Sequence, residues 1–530
     1  MTTEPGQAAR AGQLGLAGIG VSVGLTVAVA VAGPSVMEPA LPGRAGQPPW
    51  AFAAHPSPYL AVGLTAAALA TGALGLVLAL RAVRGGWSVP ARAVLLAGLL
   101  AAVVLTLVPP FGSSDQLSYA AYGRMLVTGH NPYTTTPAQL AALGDPVARA
   151  VQDWFTTPSV YGPLATGVQG LAALIGGTSA RLIVFVLGLA NLAAFAGTAL
   201  LLHRMTRRDP ARQLRAALLW AANPLLLQLL IAGAHVDGQA VFFAVAAVAV
   251  FTGSSGGPSR RASTAPSLTR AALAGVLVGL GFAVKVSDVL VGVGLAVALV
   301  LRPRPAGWRT GPPLAGLAAG FAATAGAALA VGGPAMWHQL SRESDLVSIG
   351  SPWRVIRSGV HLVVAGTAAT DIIKAGAVAL AVLLAVLLVR GLPGTTDPGA
   401  GVAVRGAGVA FAVVLAWLFA WPYVLPWYDA LAWALLPLLA AGTAVANGAG
   451  WLLLARTTAL GFGYLPARQA DAVLPRGLSW LQPVVRHGVT PAVLAATTVW
   501  LAVLMVRSRS RERPEPAETI DPRPAATEAA

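Results

Sequence analysis

Runs of about 20 apolar residues recur from one end of this 530-residue chain to the other, and each is long enough to cross roughly 30 Å of hydrocarbon as a helix. Backbone N–H and C=O groups in lipid must be satisfied within the protein, so such runs fold as helices unless they alternate like barrel strands. No such alternation is present. Only 10% of the residues are charged and the mean hydropathy is +0.71, whereas about a quarter of a soluble domain is charged. The expected fold is an all-α polytopic membrane protein with about 13–14 transmembrane helices.

Candidate spans are 14–33, 58–80, 92–108, 181–202, 213–232, 238–253, 271–284, 287–301, 312–332, 372–390, 402–420, 428–446, 449–465 and 491–506. The formal charge of +16 comes from arginines clustered in the short connections, the positive-inside pattern; it calls for no nucleic-acid partner. If the clusters at Arg81/Arg84/Arg92, Arg204–Arg215, Arg260–Arg270, Arg302–Arg309, Arg390/Arg405 and Arg507–Arg513 are all cytoplasmic, an even number of spans separates each consecutive pair. Parity then makes 161–177 an interfacial or re-entrant helix. It also folds 271–301 into a hairpin whose arms of about 14 residues reach roughly 21 Å, placing Lys285, Ser287 and Asp288 within the outer leaflet. The outer connections become 34–57, 109–180, 235–237, 333–371 and 421–427. Residues 1–13 and 507–530 read as disordered cytoplasmic ends, and 14–506 as one transmembrane catalytic domain. Arg10 before the run 14–32 fits a cleavable signal or an uncleaved anchor. With no cysteine there is no disulfide framework and no thiol chemistry.

The chemistry-bearing residues concentrate on the outer side. In "SSDQLSYAAYGRML", Asp115 suits either a helix N-cap or a catalytic acid. A helix over 115–127 puts Asp115, Tyr119 and Tyr122 on one face at i, i+4 and i+7, with Arg124 on another flank. His235 and Asp237 join two spans almost without a loop, as packing residues, part of a weak metal site, or functional groups at membrane depth. Lys285 either pairs with Asp288 or meets a lipid phosphate. Arg354 and Arg357 lie at i, i+3 in the loop 333–371, and "WPYVLPWYDA" reads first as an interfacial aromatic belt. A carboxylate base for an incoming hydroxyl and cations for a departing phosphate are what cleavage of a sugar–phosphate bond requires.

The stretches "SSDQLSYAAYGRMLVTGHNPYTTTP", "SVYGPLATGVQGL", "NPLLLQLLIAGAHVDG", "GFAVKVSD" and "WPYVLPWY", in this order across about 90–435, resemble the actinobacterial polyprenol-phosphate-mannose-dependent α(1→6)-mannosyltransferases. These are GT-C-class integral-membrane glycosyltransferases. The resemblance implies inverting transfer of mannose from a polyprenyl-phosphate donor to a mannan or lipoglycan acceptor, on the extracytoplasmic face of the plasma membrane, with Asp115 as general base. It implies donor or acceptor contacts from Tyr119, Tyr122, Arg124, His130, Asn131, Tyr133, Tyr161, His235, Asp237, Lys285, Asp288, Arg354 and Arg357. It implies no cofactor and, without a paired acidic motif near Asp115, no obligatory metal. The chain departs from the family pattern at His235-Val236-Asp237, where His-Asn-Asp is expected. Arabinosyl transfer from the same kind of donor, a lipid or solute transporter, and an inactive envelope scaffold are the alternatives.

Overall fold

The computed structural model describes residues 5–253, 266–301, 311–364, 366–392, 395, 401–439, 444–466 and 474–510. Arg260, Arg261, Arg302, Arg304, Arg309, Arg511, Arg513 and the expected tail beyond 510 lie outside them. Among the described residues the secondary structure is helical, without a strand. Seven helices are long and apolar enough to cross a membrane, and shorter apolar helices accompany them. The protein is a polytopic helical membrane protein.

Helix α1 (Pro5–Ala32) begins well before the expected span. Residues 5–13 are therefore helical rather than disordered: Gln7, Ala8, Ala9, Arg10 and Ala11 are good helix formers that extend the apolar run. Helix α1 packs along α2 (Pro58–Arg84). Small residues allow the approach, since a Cβ on Gly15 would lie 2.5 Å from the Ala79 nitrogen. Next come α3 (Ala91–Leu107) and the segment that carries the site: α4 (Asp115–Val127), α5 (Pro137–Ala142) and α6 (Pro163–Gly176). Helix α6 rests on α4 and on α7 (Ala180–Met205).

The chain continues through α8 (Pro210–Leu219) and α9 (Pro224–Leu226), which runs into a π-helical turn at Leu227–Ala232. It then folds into α10 (Asp237–Thr252), α11 (Leu268–Phe282) and α12 (Val289–Val300). The last two form the expected hairpin, because a Cβ on Gly292 would come 2.9 Å from Val278 across the turn. Helix α13 (Gly311–Glu343) is kinked where Gly333 adopts φ 67° before Pro334. The kink falls at the end of the expected span 312–332, and the bent end carries Gln339, Arg342 and Glu343 to the site. Beyond it lie α14 (Pro352–Val360), α15 (Thr367–Gly391) and α16 (Val402–Ala420).

The expected span 428–446 is broken: a 3₁₀ turn at Pro426–Asp429, α17 (Ala430–Leu435) and a second turn at Leu436–Leu438 containing Pro437. Its aromatics are not a lipid-facing belt, since Trp427, Tyr428 and Trp433 are buried in the core. Asp429 is buried there with Arg456 at 3.0 Å and Thr457 at 2.8 Å. Helices α18 (Ala444–Gly463) and α19 (Thr490–Ser510) are the last described, and α19 carries residues 507–510 of the expected disordered tail as helix, a continuation of the apolar run. Basic connections meet at one place, where Arg84 lies over Trp451 and Arg212 and Arg215 bond the carbonyls of Pro437 and Leu436. Tyr464, just past the other end of α18, touches Trp427 at the site, about 20 Å along the helix from Trp451.

Candidate active site

The turn Phe111–Ser114 after α3 directs Asp115 inward. Ser114 does not cap α4 with its side chain; its hydroxyl donates to Asp153 at 2.7 Å. Asp115 begins the helix with its backbone N–H on Ser113 Oγ at 3.1 Å. Its carboxylate is free of capping duty: Oδ1 accepts the Trp154 indole N–H at 3.1 Å and Oδ2 faces His235 Nδ1 at 3.6 Å. His235 is stacked on Trp427 with ring centroids 3.4 Å apart, so its plane is fixed. Burial, with the Lys285 charge nearby, holds this imidazole well below its usual pKa. It meets Asp115 as a neutral ring and not as an ion-pair partner.

Burial pushes the Asp115 carboxyl up to about 7, with the charge of Asp153 adding to the effect and the Trp154 N–H opposing it. A carboxyl poised near neutrality suits general-base work. Backbone strain gathers at the same spot, since Trp154 (φ 63°) and Ala234 (φ 52°) both occupy the left-handed region.

Asp115 opens onto a cavity of about 150 Å³. Tyr119, Tyr122, Trp154 and Tyr161 line it on the α4–α6 side, and Arg342, Glu343, Tyr423 and Tyr428 from the bent end of α13 and the aromatic run. Tyr122 donates to the Thr157 carbonyl at 2.9 Å, and Tyr161 meets Tyr119 edge-on with their hydroxyls 3.3 Å apart. Tyr428 donates to Glu343 at 3.4 Å. Among the described residues lining this cavity, Arg342 is the one Lys or Arg. A carboxylate, a cation and aromatic faces thus surround a space open to a polar, ring-shaped substrate.

Of the residues singled out from sequence, Asp115, Tyr119, Tyr122 and Tyr161 line the cavity and His235 abuts Asp115. Lys285 does not line it: Nζ is 2.7 Å from Asp237 Oδ1 and 3.6 Å from the Tyr428 ring centre. The pairing of Lys285 with Asp288 across a turn is overturned, because Asp237 of α10 lies closer once α10 and α11 pack together. Asp288 is buried against Gly281, and neither carboxyl oxygen has a hydrogen-bond partner among the described residues. Arg124 forms a partly buried ion pair with Asp145 at 2.8 Å. His130 Nδ1 pairs with the Thr128 hydroxyl, and Asn131 accepts the Tyr133 N–H. Tyr133 bonds Thr166, and its carbonyl accepts from cavity-lining Gln339 at 3.2 Å. Arg354 and Arg357 sit on α14, outside the lining.

Sequence reasoning missed Trp154, Arg342 and Glu343. Trp154 lies in an irregular loop with no periodic signal. Arg342 and Glu343 follow the kink, and the motif "WHQLSRE" carried no pattern beyond a helix end.

Residues 17–302, more than half of the chain, match the family described as Alpha-(1->6)-mannopyranosyltransferase, N-terminal domain. Over 383 residues, 65% of this chain and 64% of the relative, the chain is 28% identical to a Mycolicibacterium smegmatis protein named "Probable alpha-(1->6)-mannopyranosyltransferase". Over 213 residues, 39% of this chain and 29% of the relative, it is 28% identical to an alpha-(1->6)-mannopyranosyltransferase of Mycobacterium tuberculosis. The matches therefore span less than two thirds of either relative's length. No solved structure matches. This buried acid beside a tyrosine-lined cavity lies within the matched region, and the chain belongs to the alpha-(1→6)-mannopyranosyltransferase family.

Proposed function

We propose that the chain is a mannosyltransferase that uses a polyprenyl-phosphate mannose donor at the outer face of the plasma membrane and extends an α(1→6)-linked mannan or lipoglycan, in the manner of GT-C enzymes. The supporting observation is Asp115, buried at a cavity, held by the Trp154 indole and facing His235, with its carboxyl pushed up to about 7.

In this reading the acceptor hydroxyl attacks the anomeric carbon from the face opposite the phosphate. Its proton passes to Asp115, the new C–O bond forms, and the sugar–phosphate bond breaks with its electron pair going to the phosphate. Configuration inverts. Arg342 offsets the charge on the departing phosphate, and the rings of Tyr119, Tyr161 and Tyr423 pack against sugar faces. The names of the mycobacterial relatives support mannose over arabinose.

Asp115→Asn keeps the shape and removes the base. Transfer from a radiolabelled polyprenyl phosphomannose in detergent should fall about 10²–10⁴-fold, with protein yield and melting unchanged. Wild-type rates in this variant would remove Asp115 from the mechanism, and incorporation from a phosphoarabinose lipid alone would replace the sugar.

A further inference from the structure

On the side of the protein away from Asp115, α2, α8 and α18 enclose a recess of about 30 Å³. Arg84, Arg215, Asn447 and Trp451 line it, with Leu80 and Val83 along one wall, and no acidic residue does so among the described residues. One water molecule needs about 10–15 Å³. The recess therefore takes one or two oxygen atoms of a ligand rather than a whole molecule.

Its cations lack a counter-charge. Arg84 ends α2 with its guanidinium 4.6 Å from the Trp451 ring centre, and Arg81 lies 5.8 Å from the same ring. Arg215 donates through Nη1 to the Leu436 carbonyl at 3.3 Å, while Arg212 donates to the carbonyls of Pro437, at 3.1 Å, and Leu438. These bonds account for Arg212, which also feels the charge of Asp209. They leave Arg215 with unused N–H groups, and Arg84 has no N–H bonded to a described residue. None of the four arginines is in an ion pair among the described residues. The charges of Arg212 and Arg84 both act on Arg215, and that of Arg81 acts on Arg84. Like charges thus repel beside an apolar wall, where water screens them poorly. The positive-inside tendency puts arginines on one side of a membrane, but it does not turn two guanidiniums into one recess.

An anion between Arg84 and Arg215 removes that repulsion, and its depth identifies its class. Leu80 and Val83 belong to the last turns of a helix apolar enough to cross a membrane. Arginine and tryptophan together at such an end mark the level of the head groups, where the abundant anion is lipid phosphate.

We propose that this recess binds the phosphate of an anionic glycerophospholipid from the leaflet on the side away from Asp115. Its oxygens lie between Arg84 and Arg215 beside the Asn447 side chain, and its glycerol end rests on Leu80 and Val83. The site is separate from the transfer chemistry and does not depend on the donor proposed above.

The test is native mass spectrometry of the purified full chain in detergent, titrated with phosphatidylglycerol, phosphatidylcholine and glycerol 3-phosphate. One phosphatidylglycerol should be retained, more tightly than either of the others. Arg84→Gln, an exposed change, and Arg215→Gln should each weaken it about tenfold, the scale of one charge-assisted contact. Arg207→Gln removes an exposed charge from the nearby connection between α7 and α8, outside the recess, and should leave binding unchanged, as should Asp115→Asn. Equal weakening by Arg84→Gln and Arg207→Gln would reduce the effect to a diffuse field and overturn the site. Phosphatidylcholine binding as tightly as phosphatidylglycerol would overturn selection for an anion, and glycerol 3-phosphate binding as tightly would replace the lipid by a soluble phosphate. Loss of the lipid in Asp115→Asn but not in Arg84→Gln would place it at the other end of the molecule.

Discussion

Trp154 holds Asp115: its indole N–H lies 3.1 Å from Oδ1 while its own backbone sits at φ 63°, a conformation bulky residues avoid. The loop around it is tied down by Ser114 and Ser118, which donate to the Asp153 side chain and carbonyl. An unfavourable backbone is retained where surrounding bonds over-determine it, and here it aims a donor at the carboxylate.

Trp154→Phe keeps the ring and deletes that donor. The N–H favours the ionised form of Asp115, opposing burial and Asp153, so its loss raises a pKa already near 7. The base is active only when deprotonated. The acid limb of the kcat/KM profile should therefore start near pH 7 in the wild type and move to higher pH in the variant, with rate recovering on the alkaline side. An unmoved limb would show that Trp154 does not tune Asp115.

Lys285 and Asp237 are a largely buried pair, 12% and 7% exposed. Lys285→Met strands the Asp237 carboxylate in the core, and breaking such a pair costs about 3–5 kcal/mol. Asp237→Leu together with Lys285→Met removes both charges and should restore most of the lost thermal stability. If the single variant melts like the wild type while transfer collapses, Lys285 acts on substrate directly and the pairing is incidental.

How much of this was legible in the chain follows from the range of each interaction. Apolar runs set by local hydropathy gave the helices, and arginine parity anticipated the 271–301 hairpin. The face shared by Asp115, Tyr119 and Tyr122 is a property of helical spacing, and all three line the cavity. Contacts between distant segments left no local trace. Lys285 meets Asp237 across 48 residues, whereas the pattern within one turn offered Asp288 or a lipid phosphate. Arg342 escaped notice because the kink at Gly333 separates it from the span that positions it. The aromatic run carried the right residues, but His235, which stacks on Trp427, and Lys285, which lies over Tyr428, are far away in sequence.

Gly123 is where α4 nests against α6, and a Cβ there would sit 2.1 Å from the Gln169 carbonyl oxygen. The obstacle is backbone, so the helices must part. Gly123→Ala should cost about 1–3 kcal/mol as overpacking and shift the helix that begins with Asp115. The expected readout is a lower melting temperature with reduced kcat, whereas Gly129→Ala, past the end of α4 with no atom near its added Cβ, should leave Asp115 in place and lower only stability through its positive φ. Equal activity loss in the two would argue against a specific α4–α6 contact.

Glu38 lies in the connection between α1 and α2, 2% exposed, with Oε2 lacking a hydrogen-bond partner among the described residues. Burial pushes its carboxyl up to about 9 against the opposing charge of Arg181. An unfolded glutamate ionises near 4.5, so between that pH and 9 the folded chain holds a proton the unfolded chain has released. Stability from this group is complete below pH 4.5 and is lost as pH rises through that window to 9. Glu38→Gln mimics the neutral form at every pH. Melting temperatures in detergent at pH 5, 7 and 9 should fall more steeply for the wild type than for the variant, and parallel declines would mean that Glu38 is already ionised in the folded protein.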